Sequence, residues 1–171
     1  MVSEYKLRIA GVVRESIVDG PGIRFAVFCQ GCAHGCPGCH NPQSHDYGGG
    51  YDCSLADILE KFDEDPLLKG ITFSGGEPMD QAESFYYLGE EIKKRNKDIV
   101  VFTGYTYEEL AEMNDEYVKK LLDITDILID GRFVAEKKDL TLRFRGSTNQ
   151  RIIDMNKTRE SGEIRLAEEY M

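Results

Sequence analysis

The sequence lacks any apolar run that approaches the ~20 residues needed to span a bilayer. Residues 1–8 alternate polar and apolar side chains, which is not the pattern of a signal peptide. Internal repeats and low-complexity segments are also lacking, and the composition of 41% hydrophobic and 30% charged residues is typical of a folded globular chain. We therefore expect a cytoplasmic protein with no membrane partner.

Basic residues are few: Lys and Arg number 21 against 31 Asp and Glu, which gives a formal net charge of −10. A negative excess repels phosphate groups, so we expect no nucleic-acid partner. The basic residues nevertheless concentrate in residues 132–159, where eight basic side chains meet three acidic ones. This stretch is either a solvated face or a docking surface for an acidic partner.

The chain is also too short for a complete eight-stranded (β/α) barrel, which takes typically ~250 residues against the 171 present here. Its apolar patterns nevertheless alternate between strand and helix, which indicates βαβ units and a mostly parallel sheet. The predicted fold class is therefore α/β with an incomplete (β/α) barrel. We assign residues 1–156 to this domain and interpret residues 157–171 as a charged tail or short helix.

Turns rich in glycine and polar residues follow four of the predicted strands, at residues 30–32, 74–77, 103–105 and 130–132. The carboxyl ends of parallel strands meet at one edge of a sheet, and such sheets gather their chemistry there. We therefore expect all four turns to face one side.

The five cysteines are an odd number, and four of them lie within residues 29–39. A secreted disulfide framework usually has an even number spread along the chain, so this cluster indicates metal binding. Cys32, Cys36 and Cys39 bring three thiols into one loop, and thiolates bind zinc and iron–sulfur clusters. We predict a 4Fe-4S cluster held by these three residues, which leaves one iron without a protein ligand.

Two alternatives to this cluster remain at this point. Structural zinc sites usually join two cysteine pairs across a longer stretch than the sequence offers, and the spacing is not that of a ferredoxin. A zinc-binding interaction module and a small electron-transfer protein are therefore the less favoured interpretations. Cys29 alternates with Phe25 and Val27, which predicts a buried thiol and not a fourth ligand, and Cys53 is interpreted as inert.

The cysteine spacing C-x₃-C-x₂-C resembles that of the radical S-adenosylmethionine superfamily, and residues 74–78 resemble its Gly-Gly-Glu motif. Residues 19–25 and 31–42 are similar to the glycyl-radical-enzyme activases within that superfamily. Residues 103–106 and 145–151 resemble the activating proteins of anaerobic ribonucleoside-triphosphate reductase. The resemblance extends over approximately residues 16–154.

The resemblance implies an oxidoreductase with two cofactors, a 4Fe-4S cluster and S-adenosylmethionine. The open iron would chelate the amino and carboxylate groups of S-adenosylmethionine, and one electron would cleave it to methionine and a 5′-deoxyadenosyl radical. That radical would take a hydrogen atom from a glycine of the catalytic subunit of anaerobic ribonucleotide reductase. An alternative target is pyruvate formate-lyase or another glycyl-radical enzyme. The implied electron donor is of the flavodoxin or ferredoxin type, and the resemblance leaves a homo-oligomer open.

The Gly-Gly-Glu motif is implied to bind the methionine end of S-adenosylmethionine. Gly75 and Gly76 lack a Cβ atom, so their backbone can approach the cofactor closely. Glu77 would fix the ammonium group through its carbonyl or carboxylate.

Four further residues are implied near the cofactor, and Cys39 is counted both as a ligand and as a cofactor contact. Gly38 and His40 flank Cys39 and would lie near the adenine. Asp130, together with Arg132, would face the carboxylate side of the cofactor, and the alternative for this pair is a turn with a surface ion pair.

Overall fold

A seven-stranded sheet forms the centre of the protein, in a computed structural model that describes residues 4–39 and 45–171. The strands are β1 (Lys6–Ser16), β2 (Arg24–Cys29), β3 (Tyr51–Ser54), β4 (Gly70–Gly75), β5 (Asp98–Phe102), β6 (Ile127–Asp130) and β7 (Arg151–Asp154). The α-helices are α1 (Leu55–Asp63), α2 (Ala82–Lys94), α3 (Tyr107–Glu112), α4 (Glu116–Ile124) and α5 (Met155–Ser161).

The strands lie in the order β3-β1-β2-β4-β5-β6-β7. Strands β2, β4, β5 and β6 are parallel neighbours and form the centre of the sheet. Strand β1 is antiparallel to β2 and β3, and β7 is antiparallel to β6. The parallel centre with helical crossovers confirms the α/β class.

The helices cover one face of the sheet, where the main hydrophobic core lies. Phe25, Val27 and Cys29 of β2 point into this core, as their alternation predicts, and apolar residues of α1, α2 and α4 pack against the same side. The inner face of the sheet carries a second, smaller apolar cluster that includes Val100 and Ile129. Helices on a single face are the arrangement of a (β/α) barrel and not of a doubly wound sheet, so the fold is an open, incomplete barrel.

Helix α1 begins at Leu55, because Ser54 caps it. The side-chain oxygen of Ser54 accepts a hydrogen bond from the backbone nitrogen of Asp57 at 3.1 Å. Thr106 and Glu109 form a reciprocal capping box that starts α3 directly after the turn that follows β5. These caps fix the positions at which the chain leaves the edge of the sheet.

The part of the chain after β6 contains one strand that the sequence patterns do not reveal. Strand β7 and helix α5 lie there, and the predicted boundary after residue 156 falls inside α5. Residues 163–171 run back along β7, since the backbone nitrogen of Ala167 donates to the carbonyl of Ile152 at 2.8 Å. Within the described ranges, none of the helices has the length and apolar character needed to cross a membrane.

A fully buried arginine fixes the loop between β1 and β2. Arg24 donates from Nη1 to the carbonyl of Pro21 at 3.0 Å and from Nε to Oγ1 of Thr72 at 2.8 Å. Its Nη2 donates to the carbonyl of Ile71 at 2.8 Å and forms an ion pair with Asp98 at 2.6 Å. Arg24 therefore ties this loop to strands β4 and β5.

We expect Arg24→Met to lower the free energy of unfolding by about 3 kcal/mol, because methionine leaves several buried acceptors without a donor. The measurement is urea unfolding followed by circular dichroism. The control is Arg14→Met, which removes an exposed ion pair with Glu64 and should cost less than about 1 kcal/mol. Equal losses in the two variants would contradict the role assigned to Arg24.

Candidate active site

A cavity of about 850 Å³ lies at the carboxyl ends of the parallel strands. Each of the four predicted turns contributes to its wall, so the prediction that they face one side is confirmed. The contributing residues are Cys32 after β2, Gly75 and Gly76 after β4, Thr103 and Gly104 after β5, and Gly131 after β6. Aromatic side chains line the same cavity and give it an apolar wall: Phe28, Phe102, Phe133 and Phe144.

The thiols of Cys32, Cys36 and Cys39 line this cavity, and all three residues are partly buried. The loop turns tightly between the last two, since the backbone nitrogen of Cys39 donates to the carbonyl of Cys36 at 3.1 Å. Burial raises the pKa of the Cys32 thiol, and the negative charges that Cys36 and Cys39 can carry raise it further.

The donor set of three cysteines in one loop fits an iron–sulfur cluster. Among residues 4–39 and 45–171, no three His, Cys, Asp or Glu side chains converge closely enough to hold one metal ion. Thiolates are the ligands that polynuclear iron–sulfur groups take from a protein. Cys32, Cys36 and Cys39 are thus the residues that could hold such a group.

The other two cysteines lie apart from the cavity wall. Cys29 is fully buried in the main core, and burial raises the pKa of its thiol well above the ordinary value. The prediction of a buried core thiol is confirmed. Cys53 is partly buried and packs against the same core from β3.

Gly75 and Gly76 lie where two turns of the chain touch. Gly75 has a φ of +97°, and a Cβ atom there would lie 2.4 Å from the backbone nitrogen of Cys29. A Cβ atom on Gly76 would lie 2.3 Å from the carbonyl oxygen of Gly31. Since Glu77 also donates from its backbone nitrogen to that carbonyl at 2.8 Å, glycine is needed here to pack the turn against the start of the cysteine loop.

The Glu77 carboxylate is buried and forms hydrogen bonds with four other residues of the chain. It accepts hydrogen bonds from Oγ1 of Thr103 and the backbone nitrogen of Gly104, both at 2.8 Å, and from the backbone nitrogen of Met79 at 3.0 Å. His34 Nε2 lies 2.6 Å from Glu77 Oε1. Contact between Glu77 and a cofactor stays a prediction.

Sequence reasoning missed His34, to which it assigned no role. The residue lies between Cys32 and Cys36, and its ring packs edge-on against Tyr105 with the centroids 4.7 Å apart. The pair of His34 and Glu77 thus ties the cysteine loop to the ends of β4 and β5. The only signal in the sequence was the position of a histidine between two predicted ligands.

We expect Glu77→Gln to lower the free energy of unfolding by about 1–3 kcal/mol. Hydrogen-bond donors face both oxygens of the carboxylate, so the NH₂ group of glutamine would have to face a donor and would lose a hydrogen bond. The cysteine loop should be released at the same time, so the cluster of reconstituted protein should be lost faster under a chelator. Both quantities are measured against Glu60→Gln, an exposed glutamate on α1. Wild-type values for both in Glu77→Gln would contradict this role.

Asp130 is buried, with 1% of its surface exposed, and forms an ion pair with Arg151. Its carboxylate accepts from Arg151 Nη2 at 2.5 Å and from the backbone nitrogen of Tyr107 at 2.8 Å. Arg132 pairs with Glu109 instead, at 3.3 Å. An ion pair was one of the two interpretations of this turn, and its partner is Arg151 and not Arg132. Contact between Asp130 and a cofactor stays a prediction.

The two residues that flank Cys39 are placed differently. Gly38 is exposed with a φ of +75°, and its Cβ position would lie 3.3 Å from the ring of Phe133. His40 lies outside the described residues. A place near the adenine stays a prediction for both.

Comparison with known proteins adds three findings. The family model described as "4Fe-4S single cluster domain" matches residues 18–153. A protein of Vibrio cholerae is 37% identical over 142 residues, which cover 78% of this chain and 89% of the relative. One of Enterobacteria phage T4 is 31% identical over 143 residues, which cover 79% and 86%. Both relatives are named anaerobic ribonucleoside-triphosphate reductase-activating protein.

Among solved structures, the crystal structure of QueE from Escherichia coli matches with a TM-score of 0.49 and 16% identity. The match covers 61% of this chain and 56% of that chain. Because both the TM-score and the sequence identity are low, this match assigns neither the fold nor the function.

Proposed function

The chain belongs to the family of anaerobic ribonucleoside-triphosphate reductase-activating proteins and carries a 4Fe-4S single cluster domain, and on this basis we propose that it is an oxidoreductase that installs a glycyl radical on the anaerobic ribonucleotide reductase. The observation that carries the proposal is the shared cavity. Three cysteine thiols and the Gly75–Gly76 turn face it together at the carboxyl edge of the sheet.

Cys32, Cys36 and Cys39 hold the cluster in this proposal and leave one iron open. The bound cluster would supply the electron for reductive cleavage of S-adenosylmethionine, and the radical so formed would take a hydrogen atom from a glycine of the reductase. The electron donor is a flavodoxin- or ferredoxin-type protein.

The chain's own residues bind and orient the cofactor. A cavity of about 850 Å³ falls within the range of about 300–1,000 Å³ that is usual for small-molecule sites. Gly75 and Gly76 present a bare backbone edge to the methionine end, which Glu77 approaches through its carbonyl. Apolar walls such as Phe102 and Ile129 exclude water, which protects a reactive species from side reactions.

The pair of His34 and Glu77 fixes the position of the cysteine loop, residues 32–39, relative to the Gly75–Gly76 turn. Glu77 lies behind the cavity wall, since its side chain is fully buried, whereas His34 lines the cavity. The arrangement supports a site in which the cluster ligands and the cofactor-binding edge are fixed relative to one another before either group binds.

The test is the consumption of S-adenosylmethionine by anaerobically reconstituted and reduced protein. We expect methionine and 5′-deoxyadenosine to form in equal amounts, and Cys36→Ser to form neither. A reduced protein that carries its cluster but leaves S-adenosylmethionine intact would favour the electron-transfer alternative and contradict the proposal.

A further inference from the structure

Arg143, at the rim of the cavity, makes cation–π contacts with two aromatic rings. Arg143 and Phe144 both line the cavity. The guanidinium carbon of Arg143 lies 5.2 Å from the centroid of the Phe144 ring and 5.6 Å from that of Tyr170. In the part of the chain that the structure describes, Arg143 has no ion pair, whereas Arg132 and Arg151 are both paired with carboxylates. Arg143 is exposed and therefore keeps a charge that can act on a partner.

Phe144 depends on its surroundings to hold its conformation. Its φ is +60°, which is uncommon for a bulky side chain. Its ring meets the edge of Tyr170 with the centroids 5.8 Å apart and an interplanar angle of 71°. The Tyr170 ring thus supports both rim residues at once.

Tyr170 is itself anchored to the sheet. It ends a 3₁₀ turn (Glu168–Tyr170) that follows Ala167, and Ala167 is buried with Val100, Ile129 and Ile152 in the inner apolar cluster. The backbone nitrogen of Tyr170 donates to the carbonyl of Ala167 at 3.0 Å. Tyr170 therefore links the rim of the cavity to the inner face of the sheet.

We propose that Tyr170 is a positioning residue for docking of the reductase, which holds Phe144 and Arg143 at the rim so that Arg143 meets an acidic surface of that partner. The inference rests on the proposed function. A radical formed in the cavity must reach a glycine of the partner, so the partner has to contact the rim. In a chain of net charge −10, an unpaired arginine at this rim can steer and orient an acidic segment.

The experiment measures binding of the anaerobically reconstituted protein to the reductase in the presence of S-adenosylmethionine, by calorimetry at two salt concentrations. Tyr170→Ala should weaken binding about tenfold, and Tyr170→Phe should restore it because the ring alone supports the rim. Arg143→Ala should weaken binding by a similar factor and flatten its salt dependence. The double variant should be no weaker than Arg143→Ala alone, since both changes remove one contact.

The matched control is Tyr86→Ala. Tyr86 makes a comparable cation–π contact, because Nζ of Lys120 lies 5.6 Å from the centroid of its ring. Tyr86 belongs to α2, however, on the face of the sheet that the helices cover. The inference would be overturned if Tyr170→Ala bound the reductase as tightly as wild type, or if Tyr86→Ala lost as much affinity as Tyr170→Ala. It would also be overturned if the losses of affinity in the two single variants multiplied in the double variant. Wild-type protein that neither binds the reductase nor generates a glycyl radical would contradict the proposed function, and the inference would fall with it.

Discussion

Replacing Cys32, Cys36 or Cys39 singly by serine will leave the reconstituted protein without a stable 4Fe-4S cluster, whereas the wild-type chain will bind about four irons. All three thiols face one cavity, and a neutral serine hydroxyl is a poor substitute for a thiolate as a ligand of iron in such clusters. Two remaining thiolates do not anchor a cubane. The measurements are iron and sulfide content and the visible absorption of the anaerobic protein.

The matched controls for the cysteine variants are Cys29→Ser and Cys53→Ser, since neither residue lines the cavity. Cys29→Ser buries a hydroxyl in the core and should cost about 1–3 kcal/mol of stability, but the folded protein should keep its iron. Stoichiometric zinc in place of iron, or a cluster that survives loss of Cys36 and not loss of Cys29, would contradict the ligand assignment.

Gly76→Ala will impair both the cluster and the binding of S-adenosylmethionine. The added Cβ atom would lie 2.3 Å from the carbonyl oxygen of Gly31, and a backbone atom cannot move aside as a flexible side chain can. The turn after β4 and the start of the cysteine loop must then separate. We expect at least a tenfold loss of affinity for S-adenosylmethionine and a lowered iron content, measured by calorimetry and iron analysis.

The same result is expected for Gly75→Ala, whose Cβ atom would meet the backbone of Cys29 and whose φ of +97° disfavours any other residue. Gly11→Ala is the matched control, because a Cβ atom there has nothing within 4 Å. Retention of iron and of full affinity in both Gly75→Ala and Gly76→Ala would show that the motif is a tolerant turn and not part of a cofactor site.

Elements whose pattern is local could be predicted from the sequence. The alternation of Phe25, Val27 and Cys29 predicts a strand with a buried Cys29 thiol, and β2 has both features. Strands β3 and β7 could not be found, because each has four residues and owes its position to pairing with distant parts of the chain. Length alone does not decide this, since β6 also has four residues; β6 is mostly apolar and precedes a predicted turn, whereas β3 is mostly polar.

The candidate site likewise has a part that the sequence predicts and a part that only the fold reveals. The spacing of the three cysteines is a local signal, and the structure places all three thiols on one cavity wall. The contact between His34 and Glu77 spans 43 positions of the sequence, and that between Asp130 and Arg151 spans 21. Only the fold brings these partners together. For the same reason, the packing of Gly75 and Gly76 against the backbone of β2 and Gly31 was not evident beforehand.

Electron paramagnetic resonance can show whether this chain generates a glycyl radical on the anaerobic ribonucleotide reductase. Reconstituted protein, reductant and S-adenosylmethionine are mixed anaerobically with the reductase and, separately, with pyruvate formate-lyase. We expect a glycyl doublet on the reductase that grows with the methionine released and is absent with Cys36→Ser. Cleavage of S-adenosylmethionine without a doublet on the reductase, or a doublet on pyruvate formate-lyase alone, would contradict the proposed function.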